Sequence, residues 1–282
     1  IKNALGEGRV EYWTYHSDSG SFADRTFRIS SSDDGFVGSD IAYFGTLGDD
    51  NIVMNDGYNE AYGSDGNDTI ITGNGGSWVD GGAGNDRLHG NVGEDGLRGG
   101  AGDDWLYGEG GDDKIYSGLG NDAVYGGAGI DSLYDTGGND HFDGGADGDV
   151  LSFDSVIEGH TGVVVNTTLG TATDSAGGAD TFINIEHFIG TNLADHFTGK
   201  DTDASIPIEY NAAGIVSDNY ELFIGLAGDD FIDGKGGYDE VQYTTSAIGL
   251  VIDLASSTQQ DGLGGVDTLA NIEGVEGTQY DD

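Results

Sequence analysis

The sequence has no cysteine, one proline and few basic residues. Without cysteine no disulfide can brace the fold, which neither requires nor excludes an oxidising compartment. The 9 Lys and Arg stand against 52 Asp and Glu, and the formal net charge is −43. We therefore predict no nucleic-acid partner and no binding to anionic lipid, because both need clustered bases. No apolar run approaches the roughly 18 residues of a membrane-spanning helix, so no membrane span is predicted.

Glycine and aspartate are the abundant residues. The 54 glycines among 282 residues exclude a helical bundle, since each glycine costs a helix about 1 kcal/mol relative to alanine. Asp outnumbers Glu by 40 to 12, and the shorter carboxylate suits turns and approaches a cation without a long flexible arm. Such an acidic chain resists compaction unless its charge is neutralised. The composition therefore favours cations as the binding partners.

A nine-residue register runs unbroken from Gly45 to Ser152 and comprises twelve units. Examples are GGAGNDRLH at 81–89 and GGAGDDWLY at 99–107. The fourth place is glycine in eleven of the twelve units, Asp147 being the exception, and the eighth place is apolar in all twelve. The strictness of this pattern excludes a compositional accident, so the repeat itself is the unit of structure.

The sixth place of the unit is acidic in all but two cases. Asn59 and Ser77 are the exceptions. The aspartates at this place are Asp50, Asp68, Asp86, Asp95, Asp104, Asp113, Asp122, Asp131, Asp140 and Asp149. With this column the units match GGxGxDxUx and resemble the nonapeptide of the RTX (repeats-in-toxin) family, the hemolysin-type calcium-binding repeat. The resemblance covers 45–152 fully and later segments partly.

The pattern predicts an all-β fold, a parallel β-roll with strand or hairpin inserts. Gly, Asn and Asp in the first six places suit tight turns, and the last three places make a short strand with one inward side chain. Two units, or 18 residues, then complete one coil with a strand on each side. The inward residues are predicted to form two stacks, Ile52, Ile70, Leu88, Leu106, Val124 and Phe142 facing Ala61, Val79, Leu97, Ile115, Leu133 and Leu151.

This stacking places sixth-place aspartates directly above one another, where two of them and turn carbonyls can enclose a calcium ion with oxygen ligands only. One column is complete from Asp50 to Asp140 and the other is complete only from Asp95 to Asp149. We therefore expect about eight Ca²⁺ ions in 45–152, with sites at Asn59 and Ser77 weak or empty. The alternative is that these aspartates merely cap turns.

The remaining sequence divides into further segments. GGADTFINIEHFIGTNLAD at 177–195 matches GGVDTLANIEGVEGTQYDD at 264–282, and the nonapeptide phase returns in between. We expect further calcium sites after residue 190. Their candidate ligands are Asp195, Asp230, Asp239 and Asp282. The predicted segments are an N-terminal cap of strands at 1–44, the roll at 45–152, an insert at 153–189, interrupted nonapeptides at 190–242 with a loop at 200–222, and a second insert with a truncated nonapeptide at 243–282.

Catalysis finds little support, since the sequence has no zinc-protease, nucleophile-elbow or phosphate-loop motif. The expected function is a non-enzymatic, calcium-binding structural segment of a large secreted or cell-surface bacterial protein, of the adhesin or surface-layer type. The RTX resemblance implies type I secretion and folding on calcium outside the cell. Self-association or a surface glycan would supply further partners. The alternative is an accessory module of a polysaccharide-modifying enzyme, like an alginate epimerase, or of another RTX exoprotein.

The chain begins at Ile1 without a leader and stops inside a unit, so we expect a fragment.

Overall fold

A computed structural model describes residues 9–12, 27–30, 41–154, 161–202, 210–211, 214–215 and 220–280. Over these residues the chain consists of strands and turns without a helix, and most strand pairs are parallel, so the predicted all-β parallel roll is confirmed. Because the described part lacks helices, it offers none that could cross a membrane. The chain falls into two compact units, Ile1–Ala128 and Gly129–Asp282.

The first unit has two sheets. Their strands are β1 (Arg9–Tyr12), β2 (Phe27–Ser30), β3 (Ile41–Phe44), β4 (Asn51–Val53), β5 (Asn59–Asp65), β6 (Thr69–Ile71), β7 (Trp78–Ala83), β8 (Arg87–His89), β9 (Gly96–Ala101), β10 (Trp105–Gly110), β11 (Lys114–Leu119) and β12 (Ala123–Ala128). One sheet runs in the order β1-β2-β3-β5-β7-β9-β11 and the other in the order β4-β6-β8-β10-β12. The pairs β1–β2 and β2–β3 are antiparallel, and the pairs from β3 onward are parallel. Thus β1 to β3, from the predicted N-terminal cap, extend one sheet at its edge.

Between neighbouring parallel strands of the first unit the register advances by 18 residues. Ile52 lies opposite Ile70, and Leu106 lies opposite Val124. In the other sheet Val79 lies opposite Leu97. The eighth-place side chains are buried throughout, with 0 to 1% of their surface exposed. The predicted stacks of inward residues are therefore present in this unit, and the core is one side chain deep on each strand.

The second unit also has two main sheets. Their strands, with one separate pair, are β13 (Ser132–Tyr134), β14 (His141–Ala146), β15 (Val150–Ser152), β16 (Val164–Asn166), β17 (Thr171–Thr173), β18 (Ala179–Ile183), β19 (His187–Ile189), β20 (His196–Thr198), β21 (Tyr210–Asn211), β22 (Gly214–Ile215), β23 (Tyr220–Ile224), β24 (Phe231–Asp233), β25 (Tyr238–Gln242), β26 (Thr258–Gln260), β27 (Val266–Ala270) and β28 (Gly274–Glu276). One sheet has the order β13-β15-β19-β23-β25-β28, and the other β14-β18-β17-β16-β20-β24-β27-β26. Strands β21 and β22 pair only with each other.

The first insert enters the second of these sheets as three strands between β14 and β20. Strand β18 continues the roll in parallel beside β14, with Phe182 opposite Phe142. Strand β17 is antiparallel to both β18 and β16, and β16 in turn pairs in parallel with β20. The second insert repeats part of this arrangement, since β27 is parallel to β24 and antiparallel to β26. The described strands of both inserts therefore lengthen the sheet.

Candidate metal centre

The sixth-place aspartates lie in the turns immediately before the strands, and each is at most 7% exposed. A backbone N–H at this place donates to the Oδ1 atom of the aspartate 18 residues further along. The donor and acceptor pairs, at 2.7 to 2.8 Å, are Asp50 to Asp68, Asp68 to Asp86, Asp86 to Asp104, Asp104 to Asp122, Ser77 to Asp95, Asp95 to Asp113 and Asp131 to Asp149. The turns thus stack into two columns of carboxylates, as the spacing predicts.

The second oxygen of many of these carboxylates is buried without a hydrogen-bond partner. In the described part of the chain this holds for the Oδ2 atoms of Asp68, Asp86, Asp95, Asp104, Asp149 and Asp230. A buried, unpaired carboxylate oxygen is costly unless a proton or a cation meets it. Calcium prefers ligand shells made only of oxygen, so these residues fit the ion. The sixth-place aspartates, with carbonyls of the same turns, would hold it, and the bound ion would supply the missing positive charge.

Glycine at the first place of the unit makes room for that oxygen. A Cβ atom on Gly63 would lie 2.2 Å from Oδ2 of Asp68, and one on Gly81 would lie 2.3 Å from Oδ2 of Asp86. Any side chain at these places would collide with the carboxylate. At these two positions glycine is therefore required by the aspartate five residues later, whereas Ser117 and Asp135 hold the first place before Asp122 and Asp140.

Burial also changes the acidity of the columns. Loss of hydration raises the pKa of Asp68 to about 6 and the pKa of Asp104 to about 7, although hydrogen bonds from the backbone oppose the shift. The same cause raises the pKa of Asp149 and Asp230 to about 8. Near neutral pH these groups thus hold a proton or need a positive neighbour.

Asn59 and Ser77, which were expected to give weak or empty sites, have different contacts. The Nδ2 atom of Asn59 donates to the carbonyls of Asn55 at 2.7 Å and Gly57 at 3.0 Å. Because this amide already donates hydrogen bonds to the turn carbonyls, those carbonyls are less available to coordinate a cation. Ser77 has only a hydroxyl, which donates to Gly75 at 3.3 Å. The expectation of weak sites remains a prediction with this physical reason.

A double variant tests this reason. Thr72 holds the first place of the unit whose sixth place is Ser77. We expect Thr72→Gly with Ser77→Asp to add about one bound Ca²⁺ per chain and to raise the melting temperature in calcium by a few degrees. Ser77→Asp alone should gain less, because its new carboxylate would meet the Thr72 side chain. Calcium counting and thermal melts of both variants check this, and equal behaviour of the two would contradict it.

Two predicted ligands are already capped by threonine. The Oδ2 atom of Asp50 accepts the backbone N–H of Thr46 at 2.5 Å and its hydroxyl at 3.0 Å. Asp195 accepts the N–H of Thr191 at 2.6 Å and the Thr191 hydroxyl at 2.9 Å. These two carboxylates are therefore less dependent on a cation than the rest of the columns.

Two further predicted ligands lie after residue 230. Asp239 is buried with neither carboxylate oxygen partnered, whereas Asp282 lies outside the described residues.

Across the inserts the columns continue through acids that the nonapeptide spacing does not single out. The backbone donors and their carboxylate acceptors, at 2.8 to 3.1 Å, are Asp140 to Asp180, Asp149 to Glu186, Asp195 to Asp230, Asp230 to Asp267, Asp239 to Glu273 and Lys200 to Glu221. Four of these acceptors, Asp180, Glu186, Asp267 and Glu273, lie in the duplicated segments GGADTFINIE and GGVDTLANIE. The repetition of this Asp and Glu was the feature of the sequence that could have identified them.

Stacked turns lined by buried carboxylates define the chain as a repeat protein of the cation-binding β-roll class. Its sequence matches the family model for the RTX calcium-binding nonapeptide repeat at residues 44–77, 62–97, 89–124, 125–155 and 222–241. These residues are RTX calcium-binding nonapeptide repeats, and they form a Ca²⁺-binding repeat module. The matching repeat family is a structural, calcium-binding one. A comparison with curated proteins gives no match.

Proposed function

We propose that this module is a structural segment of a large secreted or cell-surface bacterial RTX protein, of the adhesin or surface-layer type. It crosses the cell envelope unfolded by type I secretion and folds outside the cell when it binds calcium. The predicted column aspartates are its ligands, with about eight ions in 45–152 and more after residue 190. The roll itself has no catalytic task and serves as a calcium-stiffened spacer.

The observation that carries this proposal is the row of buried carboxylate oxygens without partners. Because the sites do not exist in the unfolded chain, calcium binding and folding form one equilibrium. The cytosol is poor in calcium and the surroundings of a cell are rich in it. A chain with this core would therefore stay unfolded on one side of the envelope and fold on the other.

The calcium concentration at the folding midpoint tests the proposal. We expect resistance to limited proteolysis to appear at about 10⁻⁴ to 10⁻³ M free Ca²⁺, the range of extracellular calcium modules. Digestion in a series of calcium buffers gives this midpoint. A midpoint below about 10⁻⁷ M, typical of intracellular buffer proteins, would contradict folding after export.

A half-exposed aromatic row favours the second candidate, a glycan-binding accessory module. On the first unit the rings of His89, Tyr107 and Tyr125 stack at centroid distances of 4.7 and 5.0 Å. The Arg87 guanidinium lies 5.2 Å from the ring of Trp105, which is 45% exposed. Such faces can bind sugar rings. Saturable retention on an immobilised uronan would favour this candidate, and calcium-dependent self-association without glycan binding would favour the adhesin or surface-layer role.

A further inference from the structure

Three buried aspartates meet where the first insert joins the roll. Asp135 follows β13, Asp174 follows β17, and Asp180 lies in β18. One carboxylate oxygen from each lies within 4.8 Å of the others, and the three side chains are 3%, 1% and 2% exposed. We refer to these three residues as the insert cluster. Only Asp180 occupies a column position, so the cluster is a different arrangement from the stacked pairs.

The backbone fixes the insert cluster in place. Oδ1 of Asp135 accepts the N–H of Gly137 at 3.0 Å. Asp174 bridges two turns, because it accepts the N–H of Gly138 at 3.1 Å and the N–H of Gly178 at 2.8 Å. The side chains are therefore set by the turns and are already assembled.

One oxygen of the cluster is left over. Oδ1 of Asp180 accepts the N–H of Asp140 at 3.0 Å, but its Oδ2 is buried and has no hydrogen-bond partner. None of the ion pairs found among the described residues includes a member of the cluster. Burial, with the neighbouring carboxylates of Asp180, Asp140 and Asp174, raises the pKa of Asp135. Three carboxylates this close need a cation or shared protons.

We propose that the insert cluster is a further divalent-cation site, suited to Ca²⁺, that fastens the first insert to the last nonapeptide turns of the roll. Its donors are all carboxylate oxygens, which hard cations prefer. It brings three carboxylates where a column pair brings two, and affinity rises with ligand charge. The site is therefore expected to fill before the columns. It belongs to the same calcium chemistry as the module but does not depend on export.

The second insert supplies an internal comparison. Asp261 and Asp267 stand 87 residues after Asp174 and Asp180 in the duplicated sequence. Both are 1% exposed, and the N–H of Asp230 donates to Oδ1 of Asp267 at 3.1 Å. There, however, the hydroxyl of Tyr243 donates to Oδ2 of Asp267 at 2.9 Å. A hydroxyl thus meets, on Asp267, the oxygen that stays unpartnered on Asp180, while Oδ2 of Asp261 in the second insert is itself buried without a hydrogen-bond partner.

The variant Asp135→Gly tests the site without breaking the repeat. Position 135 is the first place of its unit, and glycine holds that place in eight of the twelve units. We expect the variant to fold in saturating Ca²⁺, to bind one ion fewer per chain and to melt at a lower temperature. Equilibrium dialysis with elemental analysis gives the ion count, and circular dichroism gives the melt. Asp174→Asn, which changes the insert side of the cluster, should show the same loss.

The matched control is Asp154→Asn, which removes an exposed carboxylate from the same region and should keep the wild-type ion count. If Asp135→Gly and Asp174→Asn bind as many ions as the wild type, the cluster holds a shared proton and the proposal is wrong. A wild-type chain that binds no calcium would instead refute the calcium chemistry of the whole module, so the two failures are distinguishable.

Discussion

In EDTA at pH 7 the chain should lose most of its β-sheet circular dichroism and regain it cooperatively as Ca²⁺ is added. The physical reason is the cost of the columns without a cation. Burial raises the pKa of Asp95 and Asp104 to about 7, and one pKa unit corresponds to about 1.4 kcal/mol. A domain is stable by only about 5–15 kcal/mol. Several such carboxylates together exceed that margin, and a core one side chain deep cannot offset them.

Two controls separate a specific ion from general screening of charge. Sodium chloride at matched ionic strength weakens repulsion between exposed carboxylates but does little for buried ones, so it should not restore the β signal. Mg²⁺ demands a smaller, more regular shell and gives up water reluctantly, so it should act only at much higher concentration. A β spectrum that persists unchanged in EDTA would refute calcium-dependent folding.

The regular part of the fold was predictable because its geometry is set by a fixed step. Units 18 residues apart must stack, so the pairing of Asp86 with Asp104 follows from counting. The same step identifies Leu88 and Leu106 as core neighbours. In this block local turn chemistry and the long-range pairing agree, and sequence alone suffices.

The inserts could not be predicted in the same way. Asp140 pairs with Asp180 across 40 residues, and Asp149 pairs with Glu186 across 37. These separations depend on how many strands the insert threads into the sheet, which no constant period encodes. At Glu186 the longer glutamate also takes the place that Asp131 and Asp149 hold just before it in the column. The paired acids of the duplicated segment were visible in the sequence, but their partners become identifiable only through the order of the strands.

Acid should partly replace calcium in the metal-free protein, so that dialysed, chelator-free chain gains β structure as the pH falls from 7.5 towards about 5. The column carboxylates have folded-state pKa values above their ordinary ones, because burial penalises the charged form; examples are Asp95 at about 7 and Asp230 at about 8. The folded chain therefore binds more protons than the unfolded chain in this window, and its stability falls as the pH rises through these values. Circular dichroism at graded pH measures the change.

With calcium bound the sign reverses, since protons then compete with Ca²⁺ for the same oxygens and acid destabilises the fold. The variant Asp104→Asn tests the effects with and without calcium at a single residue. The amide keeps an oxygen for the N–H of Asp86 and removes the buried charge. We expect it to stabilise the metal-free fold at pH 7 and to destabilise the calcium-bound fold, whereas the exposed neighbour variant Asp103→Asn should change both much less. If Asp104→Asn shifts stability in the same direction with and without calcium, that carboxylate does not act as a calcium ligand.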